Sequence, residues 1–255
     1  RIVPATTAAH RARASELSGL SDEGLVVAEP FAQWVIEDDF ASERPAWDQV
    51  GAQFTHDVAI YERTKLRLLN AVHSMLAYRG ALAGHITIAE ALADPVLAEA
   101  AQALVSQDLI PSVLPEGYAA PEDLNLEAYA ASVLERFANP ATGHLTIQVA
   151  MDGSQKLPIR LLAAARDRIA AGEVPEQLAG VVGAWIAFVA KREDVSGAPL
   201  VVSDPTLGAI DEALAGDAAG RVQRVLGLSE VFGDDLPANQ AFVAAVTAGY
   251  QELVG

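Results

Sequence analysis

The sequence predicts a mostly α-helical domain, and three observations carry that expectation. Ala, Leu and Val dominate a chain that is 51% hydrophobic over 255 residues. Strand signals are scarce, the best being the short pieces Leu145–Ala150 and Leu200–Ser203. Segments with apolar residues at helical spacing recur along the whole chain, with no fixed-period repeat and no Gly/Ser-rich linker between them, so one domain over 1–255 is expected.

In order, helices are expected over Pro4–Leu20, which is polar and Ala-rich and ends near Gly19, and over Pro30–Ala41, which holds Phe31, Trp34 and Phe40. A long helical pattern spans Asp57–Ala83, with a break expected near Gly80. Ile88–Asp108, Leu126–Phe137, Pro158–Ala171, Pro175–Lys191, Thr206–Leu214, Ala218–Leu226 and Ala238–Leu253 complete the series. Pro158 and Pro175 suit an early helical position, where no amide hydrogen is needed. Asp94-Pro95, Asn139-Pro140 and Asp204-Pro205 mark breaks, because the residue before proline is pushed out of the helical region.

Composition excludes several functions. With no cysteine there is no disulfide, thiolate metal site, iron–sulfur cluster or Cys nucleophile. The net charge of −17 repels phosphate backbones, so no nucleic-acid partner is expected. Mean hydropathy is +0.23, but the longest apolar run, Leu178 to Ala190, has thirteen residues where a membrane span needs roughly 20. No membrane partner is expected, and a cytoplasmic location is. Residues 10–16 carry Arg11, Arg13 and Glu16 without an apolar core, so no signal peptide is expected. The opening Arg1-Ile2-Val3-Pro4 reads as the middle of a longer protein. G-x-G-x-x-G and G-x-x-x-x-G-K-[ST] phosphate loops are absent, and none of the five histidines forms H-E-x-x-H, so no metal is expected.

The most informative stretch runs from Tyr61 to Tyr78. At about 100° per residue, with Lys65 as zero, Glu62 falls near ~60°, His73 near ~80° and Asn70 near ~140°. These four share one side of a helix that is otherwise apolar, with Leu69 and Leu76 between Lys65 and Glu62. Such a helix is buried, and its polar groups are expected to project into a half-buried cleft and need partners there. Lysine is rare: Lys65, Lys156 and Lys191 are the only three, and arginine supplies the other 14 cations. Lysine can lose its proton when desolvated and arginine cannot, which gives Lys65 a capacity suited to acid–base work. The plainer alternative is a snorkelling Lys65 paired with Glu62 and a core His73 with a satisfied hydrogen bond. A second cluster is Gln148 to Pro158, with an Asp152-Gly153 turn and Lys156 just before a proline-started helix. A lysine there can hold a hydroxylated or carboxylated ligand, or it is part of an ordinary polar loop.

These residues resemble the long-chain mannitol dehydrogenase family of NAD-dependent polyol and hexuronate enzymes, specifically its C-terminal domain. The Lys-x-x-x-x-Asn-x-x-His motif is similar to Lys65 through His73. Further matches are Phe31 to Asp38, the loop Met151 to Lys156, and the segment Phe232 to Pro237. Arg1 to Pro4 is similar to the end of the family signature Val-Asp-Arg-Ile-x-Pro, whose Asp lies outside the chain. The resemblance implies a multi-helix fold like that of the 6-phosphogluconate dehydrogenase C-terminal domain. It also implies a partner Rossmann domain, absent from this chain, that binds NAD. It further implies Lys65 as catalytic acid–base, Asn70 polarising the reacting oxygen, His73 as a substrate-hydroxyl ligand, Glu62 near a proton path and Lys156 at the active site. At Gln148 the mannitol 2-dehydrogenases have a substrate-contacting arginine. The loop here looks more like fructuronate reductase (mannonate oxidoreductase), so a keto-uronate is favoured over mannitol or arabinitol as the small-molecule substrate. The reading from another class is a non-catalytic helical interaction domain. A Gly-rich βαβ pattern upstream of Arg1 discriminates the two.

Overall fold

A computed structural model describes residues 6–255; the Arg1 to Pro4 signature lies outside the described residues. The fold is organised by a long helix over 58–82. Asp57 caps its start by accepting from the Ile60 amide at 3.3 Å. The helix is α-helical over Val58–Thr64, π-helical over Lys65–Ala71 and α-helical again over Val72–Leu82. Leu68, Ala71, Val72, Met75 and Leu76 are all at 1% exposure or less. The burial expected for this helix is therefore found on its apolar side.

Two expectations for this helix need correction. No break occurs near Gly80. The glycine is there because the helix Ile88–Ala93 packs against it, and a Cβ at Gly80 would lie 2.7 Å from the Ala91 Cβ. Leu76 also does not share the side of Lys65, since Leu76 is fully buried and Lys65 is exposed. A π turn, with its i→i+5 bonds, adds about one residue to a turn, so the helix beyond it is rotated by roughly 100° relative to an unbroken α-helix.

The remaining helices wrap this axis. Ile88–Ala93 has a Thr87/Glu90 capping box and is followed, after the Asp94-Pro95 break, by Pro95–Ala103. Leu104–Leu109 is a second π segment, and Leu126–Phe137 has the expected bounds. A third π segment, Pro158–Leu162, leads into Ala163–Ala170. Glu176–Lys191 buries eleven of its 16 residues, and it packs along the C-terminal helix Gln240–Val254. Gly183 permits that approach, since a Cβ there would meet the Tyr250 backbone nitrogen at 2.5 Å. Among the described residues no helix is long and apolar enough to cross a membrane.

The two strand expectations and one helix expectation fail. Leu145–Ala150 is not a strand: Thr146–Ala150 is a helical turn packed on Val72–Leu82, and Leu145 contributes only an isolated bridge to Thr87. Tertiary packing overrides the β-branched composition here. Leu200–Ser203 is irregular, next to a single bridge between Glu193 and Pro199. Pro30–Ala41 is not helical. Its Trp34–Glu37 is a strand, β1, paired parallel with β2, Ala52–Thr55, in the register Trp34 to Ala52. Val35 and Ile36 favour the pleat. The aromatics pack locally instead of forming a helix face: Trp34 stacks on Trp47 at 5.5 Å and Phe40 meets Phe54 edge-on at 5.8 Å, with Arg44 3.5 Å over the Phe54 ring. The first helix is Ala8–Ser18, closed by a Thr7/His10 capping box and a left-handed Gly19, with none of its residues buried.

Candidate active site

The π turn Lys65–Ala71 carries the first half of the motif, and it packs against both other π segments, Leu104–Leu109 and Pro158–Leu162. π turns are uncommon and concentrate at functional sites. On this helix Glu62 and Lys65 are exposed, whereas Asn70 and His73 are half-buried. The cleft expected around Lys65 and Glu62 is thus an open face in this chain, closing only towards His73.

None of the four polar side chains is satisfied internally. Among the described residues Lys65 and Glu62 make no ion pair with each other or with anything else, and the Asn70 amide makes no hydrogen bond. The His73 Nε2 is buried and has no hydrogen-bond partner. Its ring stacks on Phe137 at 4.7 Å and lies 5.5 Å from His144. Burial first, then the neighbouring His144, Arg160 and Lys156, push the imidazole down to about 3, so His73 is neutral at physiological pH. These observations remove the plainer alternative of a Lys65–Glu62 pair and a satisfied core histidine.

Lys156 sits on the short helix Gly153–Leu157, entered through Asp152 in the left-handed conformation at φ 56°. Its Nζ donates to the Val149 carbonyl at 3.2 Å and to the Met151 carbonyl. Burial and the nearby Arg160 lower its pKa, while Asp152 and Asp204 oppose the shift. Asp204 anchors the same loop by accepting from the Ser154 amide at 2.8 Å and the Ser154 hydroxyl at 2.6 Å. Lys156 therefore lies within electrostatic reach of His73 but is tied to its own loop. Gln148 is exposed on Thr146–Ala150 and makes no hydrogen bond, so it joins the group only through the adjacent Val149 carbonyl.

Three residues at this site carry no sequence signal of their own. Phe137 and His144 form the aromatic wall against His73. Arg160, one helical turn past Lys156, donates from Nη1 to the Ser74 hydroxyl at 3.1 Å. Its spacing of four residues from Lys156 is the only hint the sequence holds. Among the described residues no three His, Asp or Glu side chains gather as a metal site. The sequence holds no Gly-rich phosphate loop for a dinucleotide.

The Lys65–Asn70–His73 face can do one kind of chemistry well. A lysine beside an amide and a neutral imidazole can pass a proton to a carbonyl oxygen, stabilise the resulting charge and hold an adjacent hydroxyl. Comparison with known proteins points the same way. Residues 57–254 match the mannitol dehydrogenase C-terminal domain family. The chain is 45% identical to the D-mannonate oxidoreductase of Escherichia coli strain K12, covering 99% of this chain and 51% of that protein. It is 32% identical to a mannitol 2-dehydrogenase of Aspergillus clavatus, over 99% of this chain and 50% of that protein. Its fold is similar to that of Pseudomonas fluorescens mannitol 2-dehydrogenase solved in a ternary complex with NAD and D-mannitol. That match has a TM-score of 0.86 and 36% identity, and it covers 100% of this chain and 50% of the other. The chain thus spans about half the length of the relatives it matches. It belongs to the mannitol dehydrogenase family, with the family's C-terminal domain at residues 57–254.

Proposed function

We propose that this chain is the substrate-binding and catalytic half of an NAD-dependent dehydrogenase. That enzyme interconverts a keto-uronate, fructuronate in the favoured case, with the corresponding aldonate. The observation that carries the reading is the set of unpartnered polar groups on one helix: an exposed Lys65, an unbonded Asn70 amide and a sealed His73 Nε2. Each lacks an internal partner, and each is what a carbonyl or hydroxyl group of a sugar needs.

The coenzyme, held mainly by a Rossmann domain outside this chain, supplies the hydride chemistry when bound. The rest falls to the protein. Protonated Lys65 donates to the carbonyl oxygen as charge develops there, and neutral Lys65 accepts the alcohol proton in the reverse direction. The Asn70 N–H steadies that oxygen. Neutral His73 is assigned to a neighbouring hydroxyl of the substrate, and Glu62, three residues before Lys65 on the same open side, serves the proton exchange with solvent. Lys156 shapes the loop side of the site.

Higher identity to the E. coli D-mannonate oxidoreductase than to the mannitol 2-dehydrogenases supports the acid substrate. So does glutamine rather than arginine at position 148. The test is steady-state turnover of the full-length enzyme on fructuronate, tagaturonate, fructose and arabinitol. The highest kcat/KM is expected on fructuronate, and preference for fructose or arabinitol would refute the acid reading.

A further inference from the structure

Arginine in this chain almost always has an acid beside it, as expected with 34 acids against 17 cations. Among the described residues Arg160 and Arg221 are the exceptions. Arg221 donates to the Tyr250 hydroxyl, away from the site. Arg160 stands at the site itself. Its Nη1 is used by the hydroxyl of Ser74, the residue after His73. Its Nε is buried without a partner, and its Nη2 makes no hydrogen bond. Arg11, Arg63, Arg79 and Arg168 also leave Nε without a hydrogen bond, but each has a carboxylate within 4.0 Å. Burial lowers the Arg160 pKa and the Tyr78 hydroxyl opposes that shift, with no carboxylate beside the guanidinium to raise it.

The free edge has a shape. Nε–H and the adjacent Nη2–H of a guanidinium point in parallel, the fork that grips both oxygens of a carboxylate. A carboxylate is the ligand that fork takes: among the described residues no carboxylate pairs with Arg160, whereas Lys156 has its Nζ on two carbonyls with Asp152 and Asp204 nearby. Ser74 directly follows His73 on the helix, so Arg160 reaches the His73 end of the Lys65–Asn70–His73 face.

Resting on the dehydrogenase reading above, we propose that Arg160 is the specificity determinant for acid over neutral substrates. The Nε–Nη2 edge of Arg160 holds the terminal carboxylate of the sugar acid, while Ser74 fixes the guanidinium plane.

The test measures kcat and KM of the full-length enzyme on fructuronate and on fructose for wild type, Arg160→Met and Arg160→Lys. Hydrogen bonds to a charged group imply an about 10- to 100-fold loss of kcat/KM on fructuronate for Arg160→Met, mostly through KM. Fructose turnover should change by less than about threefold, since it makes no carboxylate contact. Arg160→Lys keeps the charge without the fork and should fall between the two on fructuronate only. It also supplies the answer if Arg160→Met does not fold. Equal losses on both sugars, or none, would overturn the Arg160 proposal while leaving the dehydrogenase reading intact. A wild-type enzyme that turns over no keto-uronate would refute the acid reading itself, and this proposal with it.

Discussion

Residues 6–56 and residues 57–254 are built on different terms. The first region has a capped helix, a two-stranded parallel pair and an aromatic stack, yet not one of its described residues is buried. The core begins at Ile60 and lies entirely in the second region. Backbone hydrogen bonds and caps are thus enough to shape a segment, but burial is what gives a fold its stability. A two-stranded pair is marginal alone, and parallel strands are ordinarily covered on both faces. The family match beginning at residue 57 respects the same boundary.

Core truncation should show the contrast most strongly. Phe188, at 1% exposure in Glu176–Lys191, should cost about 3–5 kcal/mol on substitution by alanine. Urea unfolding would measure it. Gly183→Ala forces a Cβ against the Tyr250 backbone and should cost about 1–3 kcal/mol in the same assay. Trp34→Ala, in the first region, removes a side chain that is 59% exposed and stacked only on Trp47; about 1 kcal/mol or less is expected. A Trp34→Ala cost equal to that of Phe188→Ala would break the distinction, because both regions would then share one cooperative core.

A smaller effect sharpens it through pH. An unfolded His73 takes up a proton below its ordinary value of 6.5, whereas the folded ring resists until about 3. Between those values the unfolded state binds more protons, so stability falls as pH drops through that window and is fully present above it. His73→Gln should therefore lose less stability than wild type between pH 7.5 and pH 5. Equal pH slopes for the two proteins would mean that His73 is not held neutral in the fold.

Much of the second region is legible in the sequence, for identifiable reasons. Leu126–Phe137 is readable to its true bounds because Asn125 caps it and Asn139-Pro140 ends its amphipathic run. Glu176–Lys191 is legible from an apolar run too short for a membrane. The π turns are not, because their backbone angles stay in the helical region and i→i+5 pairing leaves no residue signature. That is why regular helical spacing puts Leu76 beside Lys65 when the folded chain does not. Trp34–Glu37 reads as helix because four residues are too short to separate period 2 from period 3.6. The Lys65–Asn70–His73 stripe is visible because polar groups stand on an apolar helix. Arg160 is invisible, since which arginine lacks an acid is decided by tertiary packing alone.

The central claim is that the unpartnered lysine on the π turn does chemistry rather than holding the fold together. Lys65→Ala in the full-length enzyme tests it, with kcat, its pH profile and urea stability measured on the same protein. An exposed side chain without partners should change stability by no more than about 0.5 kcal/mol, while kcat should fall by about 10²–10⁴-fold. Lys65→Arg should fail in the oxidation direction, because arginine cannot accept the alcohol proton. A folded Lys65→Ala enzyme that kept wild-type kcat and its pH dependence would contradict the account.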